Sequence, residues 1–134
     1  MTNAVEEKTG SPIKSFTDLH TWKEGHVFVL MIYRITKSFP REEQFGLVNQ
    51  LRRAAVSITS NIAEGFTRNS YKEKLQFYAT ALGSLSEVQN QLLIAKEVGY
   101  MDKEPYTSSY TQSVVVSKLL NGLLKKTRTI IHDS

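Results

Sequence analysis

Apolar residues recur three or four positions apart in four separate stretches of this 134-residue chain. In the second stretch, for example, Leu47, Leu51, Ala54, Ile58 and Ile62 keep this spacing. Such spacing puts apolar side chains on one face of an α-helix, and no stretch shows the sustained apolar–polar alternation typical of a β-strand. The pattern predicts four helices, over about residues 18–38, 42–65, 70–97 and 102–130.

Residues that commonly begin or end helices stand between the four stretches. Thr17 or Asp18 would cap the first helix, and Ser70 with Glu73 has the form of a capping box for the third. Gly65 is expected to end the second helix in a left-handed turn, as Gly99 would end the third; Pro40 ends the first, and Asp102 would cap the fourth. The connections are short, so the predicted fold is all-α, an antiparallel up-down-up-down four-helix bundle. It would span residues 16–130, between a flexible N-terminal tail at 1–15 and a C-terminal tail at 131–134.

Several chemical functions find no support in the composition. The chain has no cysteine, and none of its three histidines forms the Glu-x-x-His pair of di-iron helix bundles. We therefore expect no metal, no cofactor and no enzymatic activity. The longest apolar run, Val27 to Tyr33, is far shorter than the roughly 20 residues that span a bilayer. With no secretory signal pattern at the start, the chain is expected in the cytoplasm and not in a membrane.

The run from Val27 to Tyr33 is apolar in every direction around the first helix, whereas a bundle needs only one apolar face. We interpret the excess as a surface that other copies of the chain cover. The alternative is tight packing with a few exposed aliphatic residues, which monomers also have. Gly25, Gly83 and Gly122 lie inside predicted helices, where close helix–helix approach would explain them. The candidate residues of the oligomer interface are Val27, Val29, Met31, Ile32 and Val115.

Polar residues at helical spacing form a strip along the second helix. Its predicted role is a structural polar seam, to which we assign Arg53, Ser57, Asn61 and Glu64. Arg53 and Glu64 are eleven residues apart, about 16 Å along one helix. Each is therefore expected to find its counter-charge on another helix or subunit.

The chain carries a net charge of +4, which permits a polyanionic partner without requiring one. Clustered cations are what phosphate contacts need. The alternative for each cation is an ion pair, a helix C-terminus or solubility. The candidate nucleic-acid contacts are Arg52 and Arg53 on helix two, Arg68, Lys72 and Lys74 near the start of helix three, and Lys118, Lys125, Lys126 and Arg128 on helix four.

Three segments carry a resemblance to a known family. They are FPREEQFGLVN at 39–49, QLRRAAVSITSNIAEG at 50–65 and ATALGSLSEVQNQLLIAKEVGY at 79–100, preceded by FTDLHTW at 16–22. Together they resemble the bacterial 23S rRNA intervening-sequence family over roughly residues 16–126. The resemblance implies a four-helix bundle, a ring-like homopentamer and no enzymatic activity. The matching positions are Arg52, Arg53, Ser57, Asn61, Glu64, Gly65, Gly83, Ser84 and Glu87.

The chain is also similar, more distantly, to accessory proteins of diversity-generating retroelements, which bind nucleic acid and a reverse transcriptase. Two functions follow as hypotheses. The first is an oligomer that binds RNA or DNA, because a pentamer would repeat a modest cationic patch around a ring. The second is an oligomeric scaffold or adaptor for a protein, either a reverse transcriptase or another bacterial protein, with no nucleic-acid role.

Overall fold

A computed structural model describes residues 12–133 of the chain. It contains four α-helices: α1 (His20–Thr36), α2 (Leu47–Thr67), α3 (Tyr71–Glu97) and α4 (Lys103–Asp133). Short 3-10 helices precede α1 at Phe16–Asp18 and α2 at Arg41–Glu43. Residues 12–133 form no β-strand, so the prediction of an all-α fold is confirmed.

Each helix packs against the next one along the chain, and α4 packs back against α1. The pairing is antiparallel, because Ser57 and Gln50 of α2 bond in turn to Ser84 and Gln91 of α3. Helices α1 and α3 are diagonal: within the described residues, no Cα atom of one lies within 8 Å of a Cα atom of the other. The structure is thus the predicted four-helix bundle.

The core fills the space between the four helices. Each helix contributes side chains that are fully buried, in keeping with the apolar spacing of its sequence. A second, smaller cluster lies between α3 and α4, where Tyr78 packs with Leu123 and Leu124. The fully buried aliphatic and aromatic residues of the main core are Leu19, Phe28, Ile32, Leu51, Ala55, Ile58, Ile62, Ala81, Val88, Leu92, Ala95, Val116 and Leu120.

The α1 helix begins at His20, two residues later than the predicted position 18, and the 3-10 turn at Phe16–Asp18 precedes it. Ser15, not Thr17 or Asp18, is the capping residue: its Oγ accepts a hydrogen bond from the Thr17 N–H (3.2 Å). Asp18 completes a capping box by accepting the backbone N–H groups of Lys14 and Ser15, which lowers the pKa of the Asp18 carboxyl. Leu19, directly before α1, has no side chain that can cap a helix. Residues 1–11 of the predicted tail at 1–15 lie outside the described residues. Within the rest of that predicted tail, Ile13 packs against the core.

The α2 helix begins at Leu47, five residues later than the predicted position 42. Glu43 therefore lies in a separate 3-10 turn and not in the first turn of α2. Its carboxylate nevertheless serves the helix start, because Oε1 accepts the Leu47 N–H (3.1 Å) and Oε2 accepts the Tyr100 hydroxyl (2.8 Å). These two hydrogen bonds lower the pKa of Glu43, and the carboxylate raises the pKa of the Tyr100 phenol.

The prediction that Gly65 ends α2 in a left-handed turn is wrong, because the helix continues to Thr67. Gly65 is instead buried against α3: a Cβ added there would lie 2.7 Å from Cε1 of Tyr78. Close helix approach is confirmed at Gly25, where an added Cβ would lie 3.1 Å from Cγ2 of Thr59. At Gly83 and Gly122 that explanation fails within the described chain, because no atom lies within 4 Å of an added Cβ.

Two local predictions of helix ends are confirmed. Ser70 caps α3 by accepting the Glu73 N–H (3.2 Å). Gly99 ends it with a φ of 91°, a conformation that costs glycine little, and the next N–H, of Tyr100, reaches back to the Ala95 carbonyl (2.8 Å). At the other end of the chain α4 runs on to Asp133, so most of the predicted C-terminal tail at 131–134 is helical.

Candidate nucleic-acid interface

Six of the nine candidate cations lie at one end of the bundle. Antiparallel packing puts the start of α3 beside the end of α4, as the contact of Tyr78 with Leu123 and Leu124 shows. We call residues 64–74 and 123–133 the basic end. Its charged residues are the cations Arg68, Lys72, Lys74, Lys125, Lys126 and Arg128, the carboxylates Glu64, Glu73 and Asp133, and His132. The basic end thus has three more cations than carboxylates, whereas the opposite end, residues 37–46 and 95–105, holds four cations and five carboxylates.

Lys74 is held by the end of α2. Its Nζ donates hydrogen bonds to the carbonyl oxygens of Phe66 (2.7 Å) and Gly65 (3.3 Å). These carbonyls belong to the last turn of α2, where a cation is favoured by the helix dipole. Burial lowers the pKa of the Lys74 ammonium. These contacts give Lys74 a structural role at the end of α2, and they describe it better than a role as a free phosphate contact does.

Arg68 is also engaged within the subunit. Its Nη2 donates to Oε2 of Glu64 (2.6 Å), and its guanidinium lies 4.6 Å from the centre of the Phe77 ring. The expectation that Glu64 pairs with another helix or subunit is wrong, because this partner lies four residues on in the same chain. The half-exposed pair contributes little stability but neutralises much of the charge of Arg68.

The remaining cations of the basic end point into solvent. Lys72, Lys125, Lys126 and Arg128 are exposed, and within residues 12–133 their side chains make no hydrogen bond or ion pair. Helix α4 carries no Asp or Glu from residue 105 to residue 131, so no neighbouring turn neutralises its cations. Lys118 is exposed on the same helix, about two turns before Lys125. These side chains are free to contact phosphate oxygens.

Arg52 and Arg53 lie elsewhere, in an open groove of about 560 Å³ between α1 and α2. Nε of Arg52 donates to Oγ1 of Thr36 (2.9 Å), and its guanidinium lies 4.7 Å from the centre of the Tyr33 ring. Arg53 is exposed and makes no ion pair within residues 12–133. We call this surface the arginine groove; its lining residues are Tyr33, Asn49, Arg52, Arg53, Val56, Ser57 and Ser60, none of them acidic.

The predicted polar seam joins α2 to α3 through Ser57, and Asn61 supports Ser57 from the same helix. The hydroxyls of Ser57 and Ser84 are 2.8 Å apart, and Nδ2 of Asn61 donates to the Ser57 carbonyl (2.8 Å) and to its hydroxyl (3.1 Å). Arg53 and Glu64 lie outside these contacts. The strip on α2 therefore has a structural role at Ser57 and Asn61.

One buried polar residue at the contact of α2 with α3 was not identified from the sequence. Gln91 is only 6% exposed; its Nε2 donates to Oε2 of Glu87 (3.2 Å) and to Oε1 of Gln50 (3.4 Å). Its Oε1 is buried without a hydrogen-bond partner in the described chain. The sequence does carry a signal for this burial. Gln91 directly precedes Leu92 and lies about one helical turn from Val88 and Ala95, which are all on the apolar face of α3.

The residues predicted for the oligomer interface divide between core and surface. Val29 is 7% exposed and Ile32 is fully buried, because both lie on the face of α1 that packs into the bundle. They have no surface to offer another subunit and are removed from the candidate interface. Met31 is half-buried, whereas Val27 (43% exposed) and Val115 are on the surface. Leu30 and Tyr33, which the prediction did not include, are exposed as well.

No group of three or more His, Cys, Asp or Glu side chains in residues 12–133 is arranged to hold a metal ion. None of the described helices combines the length and the apolar character needed to cross a membrane.

A family model supplies the identification. The model of the 23S rRNA-intervening sequence protein matches residues 17–122, which is most of the chain. The protein belongs to this family. The match includes the arginine groove and α3 entirely, but it ends before Lys125, Lys126 and Arg128.

A solved structure supports the fold of this family member. The chain is similar to a protein with unknown function from the S23 ribosomal protein family of Bacteroides thetaiotaomicron VPI-5482, with a TM-score of 0.73 and 24% sequence identity. The alignment covers 78% of this chain and 95% of that one. At this identity the likeness concerns the fold alone. Neither the family description nor the description of this relative names a catalysed reaction. A comparison with curated proteins gave no match.

Proposed function

We propose that this family member is a non-enzymatic, self-associating protein of the cytoplasm that binds the phosphate backbone of RNA or DNA through its basic end. The observation that carries the proposal is the collection of Lys72, Lys125, Lys126 and Arg128 at one end of the bundle, exposed and without carboxylate partners in the described chain. Clustered free cations release counterions from nucleic acid when they bind it, which is the main source of affinity for the backbone.

The two engaged cations have a supporting role in this proposal. A hydrogen bond from Lys74 joins the start of α3 to the last turn of α2, and the Arg68 guanidinium lies over the ring of Phe77 on α3. Both contacts fix the connection between α2 and α3, next to Lys72. The exposed cations are thus displayed on regular helices, whose backbone is held by packing on Tyr78, Leu123 and Leu124.

Self-association would strengthen such binding. A single subunit offers few phosphate contacts, and each is weak at physiological salt. Copies joined in a ring-like assembly, as the resemblance to the family implies, would present the basic end several times. The second and later contacts would then be intramolecular and would raise the overall affinity without any new side chain.

The proposal is tested by binding of labelled single-stranded RNA and DNA between about 50 and 200 mM salt, the range over which phosphate contacts weaken most. We expect the triple variant Lys125→Gln, Lys126→Gln, Arg128→Gln to bind less tightly and to reduce the slope of log affinity against log salt concentration by about 2, since each of the three lost contacts contributes about 0.7 on single strands. Circular dichroism checks that α4 stays folded.

A matched variant at the opposite end controls for net charge. Lys37→Gln, Arg41→Gln, Lys103→Gln removes the same number of positive charges from exposed positions. It should bind nearly as tightly as the wild type. Equal loss of affinity in both triple variants would contradict a specific role for the basic end, and undetectable binding by the wild type at ~50 mM salt would remove the proposed function.

A protein-interaction scaffold is the second candidate, favoured by an exposed aromatic residue. Phe45, between the 3-10 turn and α2, is 89% exposed, and large exposed apolar side chains often mark protein contacts. The partner would be a reverse transcriptase or another bacterial protein. Affinity capture after nuclease treatment would support this function if one protein co-purified stoichiometrically with the wild type but not with Phe45→Ser.

A further inference from the structure

The sides of the bundle carry two exposed surfaces of opposite charge. One is the arginine groove between α1 and α2. The other runs along α3 and has no cation; we call it the α3 stripe and define it as Gly83, Glu87, Asn90, Ile94, Glu97 and Val98, all of them exposed. The groove is lined by α1 and α2 and the stripe lies on exposed residues at and just beyond α3, so the two surfaces share no residue.

The arginine groove holds positive charge that nothing in the described chain neutralises. Arg52 is oriented by neutral acceptors only, Oγ1 of Thr36 and the carbonyl of Tyr33, so its guanidinium keeps its full charge and still has free N–H groups. Arg53 beside it has no ion-pair partner within residues 12–133. Apolar surface accompanies these charges, because Tyr33 and Val56 in the groove and Leu30 beside it are exposed.

The α3 stripe has the complementary character. Residues 83, 87, 90, 94 and 97 are spaced alternately by four and three, so they form a straight strip along the helix. Ile94 (43% exposed) and Val98 (56% exposed) supply apolar surface, and Glu87 and Glu97 supply negative charge. At Gly83 nothing lies within 4 Å of an added Cβ, so the backbone there is open to close approach by another helix.

We infer that the α3 stripe of one copy docks into the arginine groove of a second copy. Glu87 and Glu97 would face Arg53 and Arg52, while Ile94 and Val98 would cover Tyr33 and Val56. Opposite charges beside apolar contact give both affinity and orientation to an interface. The inference rests on the self-association in the proposed function and identifies the surfaces that produce it.

This contact has two consequences. The two surfaces are different, so the interface is head-to-tail, and repetition closes a ring if the rotation between neighbours allows it. Both surfaces lie along the sides of the bundle, whereas the basic end lies at its tip. Assembly would therefore leave Lys72, Lys125 and Arg128 uncovered.

Charge exchange on the full chain tests the inference. We expect Arg53→Glu alone and Glu87→Arg alone to raise the concentration at half-assembly by roughly tenfold or more, since each puts like charges face to face. The double variant Arg53→Glu/Glu87→Arg should recover most of the wild-type assembly, because the pair is restored with reversed polarity. Analytical ultracentrifugation across a concentration series measures the assembly.

Two further variants protect this test from structural side effects. Glu87 accepts a hydrogen bond from Gln91, so Glu97→Arg alone, at a residue without such a contact in the described chain, provides a second charge reversal on the same stripe and should weaken assembly as well. Lys103→Glu, an exposed charge reversal on α4 outside both surfaces, should leave the assembly unchanged.

Each outcome decides a separate point. Single variants that assemble like the wild type, or a double variant no better than the singles, would overturn the docking of α3 in the groove while self-association stands. A wild-type chain that stays monomeric at every concentration would overturn both the docking and the self-association. Neither result bears on RNA or DNA binding by the basic end of a single subunit, which the glutamine variants measure.

Discussion

At the scale of single residues, Gly65 determines how closely two helices can pack. It is buried in the last turns of α2, where an added Cβ would lie 2.7 Å from Cε1 of Tyr78 and 3.1 Å from Cβ of Phe77. Tyr78 is itself buried and joins the cluster that holds α4 against α3. A side chain at position 65 would therefore disturb the packing of α2 on α3. Through Tyr78 it would also disturb the packing of α4, which supports the basic end.

We expect Gly65→Ala to lower the free energy of unfolding by about 1–3 kcal/mol, the usual cost of overpacking a close contact. Gly122→Ala is the matched control, because Gly122 is helical and exposed and an added Cβ meets nothing within 4 Å. It should raise stability by up to about 1 kcal/mol through helix propensity. Urea denaturation of both variants measures the difference; a Gly65→Ala protein as stable as the control would contradict the role assigned to Gly65.

At the scale of helices and their connections, Glu43 joins three elements. It lies in the 3-10 turn before α2, accepts the Leu47 N–H at the start of α2, and accepts the hydroxyl of Tyr100, which follows α3. The Tyr100 ring in turn packs against Phe39. Ionised Glu43 is the better acceptor for both bonds, and this preference is why its pKa is lowered.

The lowered pKa predicts a pH dependence. A carboxyl whose pKa is lower in the folded chain adds stability above its ordinary value near 4.5, and that stability is lost as pH falls through the folded pKa. Tyr100→Phe removes one of the two hydrogen bonds, so its thermal midpoint should lie below that of the wild type at pH 7. The gap should narrow below about pH 4. A gap that stays constant from pH 7 to pH 3 would show that Glu43 ionisation does not stabilise this connection.

Helix existence could be predicted because apolar spacing is a local signal repeated over many residues. The caps at Ser70 and Gly99 were predictable for the same reason. Gly65 was misread because glycine serves both helix ends and close packing, and only the position of Tyr78 distinguishes them. On α1, a run apolar on all sides could not tell buried Val29 from exposed Val27, since that depends on the direction of α2 and α4.

The candidate site was less predictable from the sequence than the helices, because the grouping of its residues depends on tertiary structure. The nine cations were identifiable as residues, but their grouping follows from the antiparallel packing of α3 on α4, which brings Lys72 to the same end as Arg128. The engagement of Lys74 depends on where the α2 carbonyls end. The sequence could therefore predict which residues are cationic but not which are free.

At the scale of the whole molecule, the free cations of the basic end and most of the large exposed apolar residues lie in different places. The basic end carries six cations against three carboxylates, and the opposite end is nearly balanced. Exposed apolar residues lie instead along the sides, at Leu30, Val56 and Ile94, and near the balanced end at Phe45. The molecule thus has room for contacts with copies of itself along its length and with a polyanion at its tip.

Protection of individual lysines by bound nucleic acid tests this account most directly. The full-length chain, with and without a single-stranded RNA at low salt, is acetylated briefly and the modified lysines are quantified by mass spectrometry. We predict that Lys72, Lys125 and Lys126 lose most of their reactivity when RNA is bound, while Lys37 and Lys103 at the opposite end keep theirs. Equal reactivity at the basic end with and without RNA, or stronger protection of Lys37 and Lys103, would contradict it.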